Sequence, residues 1–342
     1  MDTSPLVPND PRVKYVKTTL RGKTYRYLLG EPEGTPIDTI FLIHGFPDMA
    51  YGWRCQIPML MSLGLRVVAP DMIGFAGTDA PEALEEYAMK SIATDMSELI
   101  KQIVGEGNQI ILGGHDWGGF AVYRIILWFP ELIKAVFSVC TPYMPPRDTY
   151  FPLEAIVAKL LPQFKYQLDF AGPEVEKRIQ GPEMVRAFLN TLWGGRLPDG
   201  QLAFSTVEGP NYDSMVKAEQ ARLLPKEWLD FYTHEYTQRP APEMRGPLNW
   251  YRMTKINFED EKPLADKGVV QLHLPLLFIG ASKDIALPPA MSASMDQTCT
   301  NLTRAEVEAS HWALVEKPKE VNDSIENWLR EKVLKGELKP AL

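Results

Sequence analysis

Short apolar runs alternate with longer stretches of helical periodicity along most of this chain. Each apolar run ends at a small or polar residue, which is typical of buried parallel strands in an α/β sheet. The pattern predicts five such strands, at residues 39–43, 66–69, 109–112, 135–139 and 275–279. It also predicts helices at residues 91–104 and 119–128, and the second of these helices ends before Pro130.

The pattern changes between residues 142 and 261. Closely spaced prolines divide the first part of this segment into aromatic, helix-like pieces, and no apolar strand is predicted within it. Because the strand pattern resumes at residue 275, the segment interrupts one α/β domain. We therefore predict a core of residues 1–141 and 262–342, with a mostly parallel sheet flanked by helices, and an inserted helical cap at residues 142–261.

Composition narrows the choice of compartment and partners. The chain has 342 residues, 45% of them hydrophobic, and a net charge of -8, which argues against nucleic acid as a partner. Three cysteines at unrelated spacings indicate neither a disulfide framework nor a metal cluster, so we expect a reducing compartment, the cytoplasm. The sequence contains neither a secretory signal nor a run of roughly 18 apolar residues, so no membrane span is expected. Both a monomer and a homodimer are compatible with the sequence.

Chemically useful residues follow four of the predicted strands at their carboxyl ends, where open α/β sheets bind ligands. They are the segment 44–47, Asp71, Asp116 and Asp284.

Asp116 lies between a predicted strand and a predicted helix, in the stretch Gly114-His-Asp-Trp-Gly118. This is the context of a nucleophile elbow, where small residues let the strand and the helix approach while one side chain is exposed. An aspartate at this position is also a common helix N-cap. A serine would first need deprotonation, whereas an aspartate is ionised near pH 7 and can attack a saturated carbon directly. The elbow therefore predicts an ester between Asp116 and the substrate.

Water must hydrolyse such an ester, and a histidine is the usual base for that step. Four of the five histidines are poorly placed, because they lie on the first loop, beside the nucleophile, in the cap or before a strand; they are His44, His115, His234 and His273. His311 remains, beyond the last predicted strand and before a helix-like stretch.

Two further groups complete the predicted site. Asp284 follows the last predicted strand and can hold the imidazole of His311 by a hydrogen bond. The backbone N–H groups of Phe46 and Trp117 can stabilise the oxyanion that forms when water attacks the ester. Taken alone, the segment around Phe46 is also compatible with a Gly-Pro turn that packs an aromatic ring.

The motifs HGFPD, GHDWGG, GASKD and SHW, in this order, resemble those of the soluble epoxide hydrolases of the α/β-hydrolase fold. The order Asp116, Asp284, His311 matches the order of nucleophile, acid and histidine in that fold. The resemblance covers residues 13–332 and implies that fold with a cap, without the phosphatase-like domain of some animal relatives. Haloalkane dehalogenases share nearly all of these motifs, so the core does not choose between the two families.

Residues of the cap can distinguish the two families, because their substrates have different leaving groups. A halide leaves as a stable anion, whereas an opened epoxide leaves a basic alkoxide, which a tyrosine with a pKa of about 10 can protonate. The stretch GPLNWYR resembles the Asn-Trp-Tyr-Arg signature of the epoxide hydrolases and marks Tyr251. The stretch FKYQLDFAGPE resembles the segment that carries their second tyrosine and marks Tyr166, with Tyr150 open as a neighbouring alternative.

The resemblance implies an epoxide hydrolase that converts a small apolar epoxide and water into a vicinal diol, with no metal and no other cofactor. Tyr166 and Tyr251 would protonate the opening ring. The residues expected to bind the substrate are His44, Phe46, Pro47, Trp117 and Trp312.

Three other functions compete with this interpretation. They are a haloalkane or haloacid dehalogenase, a catalytically silent α/β-hydrolase that serves as a ligand receptor, and a dinucleotide-binding domain. The last is disfavoured, because Gly105-Glu-Gly107 follows a predicted helix instead of a strand.

Overall fold

An eight-stranded, mostly parallel sheet forms the centre of one of two compact units in the computed structural model, which describes residues 2–335. This first unit consists of residues 2–72, 89–148 and 260–335. The strands of the described chain are β1 (Val13–Leu20), β2 (Lys23–Gly30), β3 (Asp38–Ile43), β4 (Leu65–Pro70), β5 (Ile110–His115), β6 (Ile133–Val139), β7 (Phe204–Ser205), β8 (Gly209–Pro210), β9 (Leu276–Ala281) and β10 (Leu302–Val307). The sheet has the order β1-β2-β4-β3-β5-β6-β9-β10, and only the pairs β1–β2 and β2–β4 are antiparallel.

The central strands form where the sequence has continuous apolar runs. Every residue of β5 and β9 is buried, as expected for parallel strands that are covered on both faces. All five predicted strands are confirmed. The observed strands extend one to three residues beyond the predicted bounds at one or both ends, but β5 and β9 each begin one residue later than predicted. The prediction of a mostly parallel α/β sheet is therefore also confirmed.

Three strands of the sheet lack such a run and were not predicted. β1 and β2 form an antiparallel hairpin, and β1 is partly exposed along most of its length. β10 is an edge strand, with exposed Arg304 and Glu306 between less exposed neighbours. Partly exposed edge strands of this kind carry a mixed polar and apolar pattern, which is a weaker signal than a buried run.

Helices fill most of the chain between the strands. They are α1 (Ile57–Ser62), α2 (Met89–Val104), α3 (Trp117–Trp128), α4 (Leu153–Lys159), α5 (Lys165–Ala171), α6 (Val175–Arg178), α7 (Gly181–Leu192), α8 (Lys226–Tyr236), α9 (Arg245–Asn249), α10 (Thr254–Asp266), α11 (Met295–Thr298), α12 (Ala313–Glu316) and α13 (Pro318–Trp328). The two predicted helices, now α2 and α3, are confirmed and each begins two residues earlier than predicted. Across residues 2–335, none of the helices has the length and apolar character needed to cross a membrane.

The second unit consists of residues 73–88 and 149–259 and contains helices α4 to α9. It is mainly helical, but β7 and β8 form a short antiparallel pair where no strand was predicted. The segment 73–88 is tied to the rest of this unit by Arg239, which donates to the carbonyl oxygens of Gly74, Ala76 and Thr78. The predicted domain bounds assigned this segment to the core, and that division into core and cap stays a prediction.

Strand β3 and helix α3 approach each other so closely that only glycine fits at position 118. A Cβ atom built on Gly118 lies 2.0 Å from the carbonyl oxygen of Ile43, a backbone atom that cannot move without shifting the strand. The first turn of α3 can therefore lie directly against the end of β3.

We predict that Gly118→Ala lowers the free energy of unfolding by more than about 2 kcal/mol, because overpacking forces backbone shifts. Thermal unfolding followed by circular dichroism measures the change. Gly280→Ala is the matched control, since its Cβ meets nothing closer than 3.5 Å and should leave the midpoint nearly unchanged. Equal midpoints for the two variants would show that the contact with Ile43 is not a constraint.

Candidate active site

Asp116 stands on a tight turn between β5 and α3. Its backbone has φ 54° and ψ -125°, a conformation that side-chain-bearing residues rarely adopt. The hydroxyl of Thr141 donates to the carbonyl oxygen of Asp116 at 2.8 Å and helps to hold the turn. The turn leaves the carboxylate of Asp116 partly accessible at the carboxyl end of the sheet, which is the position that the elbow motif predicts.

The structure brings together the three residues of the predicted triad. His311 follows β10, and its Nε2 lies 3.3 Å from Oδ2 of Asp116. Its Nδ1 lies 2.7 Å from Oδ2 of Asp284, which follows β9. The other oxygen of Asp284 accepts the backbone N–H groups of Ala286 and Leu287 at 2.9 Å each. The imidazole of His311 is thus oriented by a fixed, buried carboxylate.

The charges of these three groups are strongly coupled. Burial acts to lower the pKa of His311, but the charge of Asp284 and hydrogen bonds with both carboxylates raise it to about 10. Burial acts to raise the pKa of Asp284, but the charge and hydrogen bond of His311 outweigh it and lower it to about 2. The pKa of Asp116 is also lowered, since the hydrogen bond and charge of His311 outweigh burial. The two carboxylates therefore favour the protonated, imidazolium form of His311.

Two backbone donors face the nucleophile. The N–H of Phe46 donates to Oδ1 of Asp116 at 2.7 Å, and the N–H of Trp117 also bonds this carboxylate. A Cβ built on Gly45 lies 2.2 Å from Oδ1 of Asp116, so glycine is needed for the loop to approach this closely. The structure thus places both predicted oxyanion donors on the predicted nucleophile.

The other residues predicted to bind the substrate differ in their exposure and in their hydrogen bonds. Trp117 and Trp312 are partly exposed, and the ring of Trp312 lies 5.2 Å from that of His311. Pro47 is buried and follows a cis peptide bond. His44 is also buried, its Nδ1 bonded to the carbonyl oxygen of Gly45 and its Nε2 accepting the N–H of Met72. His44 therefore holds the loop by its ring nitrogens instead of presenting them to a ligand.

Sequence reasoning missed two supporting residues. Nε2 of His115 lies 2.8 Å from the carbonyl oxygen of His311, and Sγ of Cys140 lies 3.6 Å from the same oxygen. Cys140 directly follows β6, so the strand-end argument that marked Asp116 could have marked it too. His115 was set aside as the nucleophile's neighbour, and nothing in the sequence places it against His311.

His115, Cys140 and His311 also bring three potential metal ligands within 4.8 Å of one another. Burial raises the pKa of the Cys140 thiol well above its usual range, and the charge of Asp284 raises it further. A thiolate, the form that binds metals, is therefore disfavoured at this position. Nδ1 of His311 is already bonded to Asp284. This cluster is better described as support for His311 than as a metal site.

Within the second unit, Tyr166 and Tyr251 belong to one aromatic cluster. Tyr166 is in α5, and Tyr251 is in a single turn of 3-10 helix, Trp250–Arg252. Their ring centroids lie 6.2 Å apart at an angle of 73°, and both rings pack edge-on against Phe170. Tyr150, the alternative, packs against Phe258 instead and is 37% exposed. The two tyrosines marked by the motifs are thus neighbours and buried.

Comparison with known proteins gives a consistent result. Residues 38–318 match the family described as the alpha/beta hydrolase fold. Epoxide hydrolase srdG of Neurospora crassa is 39% identical over 344 residues, which cover 97% of this chain and 99% of that protein. Bifunctional epoxide hydrolase 2 of the mouse is 34% identical over 85% of this chain, but the match spans only 51% of the mouse protein. The crystal structure of epoxide hydrolase A from Mycobacterium thermoresistibile superimposes with a TM-score of 0.77 at 28% identity, covering 96% of this chain and 100% of that one.

We predict that Asp116→Asn lowers the pKa of His311, because the substitution removes one of the two negative charges that oppose the effect of burial. NMR of enzyme labelled with nitrogen-15 histidine follows the ring nitrogens of His311 across the pH range. Asp296→Asn removes an exposed carboxylate that pairs with Arg304 and serves as the matched control. If His311 titrates identically in both variants, the coupling to Asp116 is absent.

Proposed function

This chain belongs to the epoxide hydrolases of the α/β-hydrolase fold, as its motifs predicted, and we propose that it converts a small apolar epoxide and water into a vicinal diol through an ester of Asp116. One observation carries the proposal. Nε2 of His311 lies 3.3 Å from one carboxylate oxygen of Asp116, and the N–H of Phe46 lies 2.7 Å from the other. Such a carboxylate is ionised before the reaction and has the base for hydrolysis of its own ester beside it.

In the first step, an oxygen of Asp116 attacks an epoxide carbon and a ring carbon–oxygen bond breaks. The electron pair of that bond passes to the ring oxygen, which accepts hydrogen bonds from Tyr166 and Tyr251 and takes a proton from one of them. A phenol with an ordinary pKa of about 10 is neutral at pH 7 and can serve as this acid. The burial of both rings in one aromatic cluster supports the assignment.

In the second step, neutral His311 takes a proton from water, and the hydroxide attacks the carboxyl carbon of Asp116. The N–H groups of Phe46 and Trp117 hold the oxyanion, which then collapses and breaks the bond between the carboxyl carbon and the alkoxide oxygen. The alkoxide takes the proton of the carboxylic acid so formed, which releases the diol and restores the carboxylate. His311 must lose its proton before this step, and esterification favours the loss because it removes the charge of Asp116. The proton that His311 loses at this point replaces the one that the tyrosine gave to the product alcohol.

The competing proposal is a dehalogenase, which would share the triad but would not need two phenols. Assaying diol formation from epoxides against halide release from haloalkanes separates the two. We also propose that the enzyme acts in the cytoplasm, since Cys55, Cys140 and Cys299 are buried free thiols.

We predict that His311→Gln leaves ring opening intact but slows hydrolysis of the ester by about 100-fold or more, because the general base is gone. Mass spectrometry of enzyme mixed with epoxide then detects an adduct on the peptide that contains Asp116. Asp116→Asn, which has no nucleophilic carboxylate, should give no adduct under the same conditions. Absence of the adduct in His311→Gln would remove this residue from the second step.

We predict that Tyr251→Phe and Tyr166→Phe each slow ring opening by about tenfold, because each removes one hydrogen bond to the forming alkoxide. Rapid-quench measurement of ester formation in a single turnover gives this rate separately from hydrolysis. Tyr150→Phe is the control and should leave the rate unchanged. If ring opening is slow in Tyr150→Phe and normal in Tyr166→Phe, Tyr150 is the second acid instead of Tyr166.

A further inference from the structure

We propose that Arg252 is a positioning residue that sets the distance between the hydroxyl groups of Tyr166 and Tyr251. The inference rests on the proposed function, in which these two phenols act together on the epoxide oxygen. It adds a residue to which neither the motifs nor the triad assigns a role. It also accounts for how side chains on two separate elements of the second unit are held as a pair.

Arg252 joins the elements that carry the two tyrosines. It directly follows Tyr251 in the chain, and its Nε donates to the carbonyl oxygen of Ala171 at 3.2 Å. Its Nη2 donates to the carbonyl oxygen of Gly172 at 3.0 Å. Ala171 is the last residue of α5, the helix that carries Tyr166. One side chain thus spans from the turn of Tyr251 to the end of the helix of Tyr166.

The end of α5 is a place where such a bond has a large effect. The helix has only seven residues, so its last carbonyl groups form a large share of its hydrogen-bonding capacity. A cation at a helix C-terminus is favoured by both hydrogen bonding and the helix dipole. The planar fork of arginine can serve two adjacent carbonyl oxygens at once, whereas the ammonium group of lysine is a point charge on a flexible stem.

The guanidinium of Arg252 is itself held from the other side. Its Nη1 donates to Oδ1 of Asn249 at 2.7 Å and lies 3.1 Å from Oε2 of Glu176. The second oxygen of Glu176 lies 3.4 Å from Nε of Arg245. The side chain of Arg252 is largely buried, while that of Arg245 is 45% exposed. Arg252 therefore has one orientation fixed by four partners.

Packing of the rings defines the relative position of Tyr166 and Tyr251 less precisely than hydrogen bonds from a fixed guanidinium. Both rings pack against the ring of Phe170, and the distance between ring centroids is 5.4 Å for Tyr166 and 5.2 Å for Tyr251. Contacts between aromatic rings tolerate a range of distances and offsets. Hydrogen bonds from a fixed guanidinium are directional, so they specify the position of the helix end relative to the turn. A misplacement of about 1 Å at an acid is enough to slow a reaction substantially.

The first experiment compares Arg252→Met, Arg252→Lys and the matched control Arg245→Met by rapid quench. Ring opening should slow about tenfold in Arg252→Met and about threefold in Arg252→Lys, because lysine keeps the charge but loses the fork. Ester hydrolysis should stay within about twofold of the parent in all variants, because that step uses the triad. Arg245→Met removes the other partner of Glu176 but keeps the bonds from Arg252 to Ala171 and Gly172, so both of its rates should be unchanged.

The second experiment is a double-mutant cycle between Arg252→Met and Tyr166→Phe. If Arg252 acts through the placement of the Tyr166 hydroxyl, its removal should change ring opening by less than about twofold once that hydroxyl is absent. Independent, multiplicative effects would overturn the proposal, as would equal slowing of both steps in Arg252→Met. Circular dichroism and the unfolding midpoint are measured for each variant. If Arg252→Met fails to fold, Arg252→Lys replaces it in the double-mutant cycle.

The design separates this inference from the function on which it rests. If Tyr166→Phe and Tyr251→Phe open the ring at the parent rate, the assignment of the acids fails and the role of Arg252 fails with it. If both tyrosine variants are slow but the cycle is additive, the acids stand and only the positioning role is overturned.

Discussion

The hydrogen bonds to the carboxylate of Asp116 are the constraint on which the rest of the site depends. A carboxylate withdrawn from water must be compensated, and here the N–H groups of Phe46 and Trp117 provide this together with His311. Compensation requires the loop at Gly45 and the unusual backbone of Asp116 to approach within contact distance. The same N–H groups are correctly placed for an oxyanion, because an ester oxygen at Asp116 occupies the position that the carboxylate oxygen held. Under the proposed mechanism, the N–H groups that stabilise the resting carboxylate therefore also stabilise the later intermediate.

In the proposed mechanism, charge coupling makes the basicity of His311 depend on whether Asp116 is ionised or esterified. While Asp116 is ionised, the proton on His311 is held by two carboxylates, and the imidazole is a poor base. Once Asp116 is esterified, only Asp284 remains to hold that proton. The base thus becomes available when its substrate, the ester, has formed. The low pKa of Asp284 keeps this partner charged throughout, so it can stabilise the imidazolium again when water is deprotonated.

Sequence reasoning located the triad because parallel strands bring their carboxyl ends to one edge of a sheet. Asp116, Asp284 and His311 are far apart in the chain but follow β5, β9 and β10, and the first two of these strands were predicted from buried apolar runs. The strand before His311 was not predicted, yet its position after the last apolar run was sufficient. The association of segment 73–88 with the second unit could not be predicted in this way. Arg239 donates to three backbone carbonyl groups of this segment, and such contacts produce no pattern in the sequence.

The tyrosines illustrate a second limit on what sequence can predict. Tyr251 and Tyr166 were found by their likeness to family motifs, since one phenol among 13 has no pattern that distinguishes it. A motif marks a residue without saying what holds it, and here the support comes from Arg252, the neighbour of Tyr251, across 80 residues of chain to Gly172. Directional support of this kind matters most for a pair, because two donors act on one oxygen only when their separation is fixed to a fraction of a hydrogen-bond length. On the proposal made above, Arg252 of the Asn-Trp-Tyr-Arg signature acts on Tyr166, which lies outside that signature.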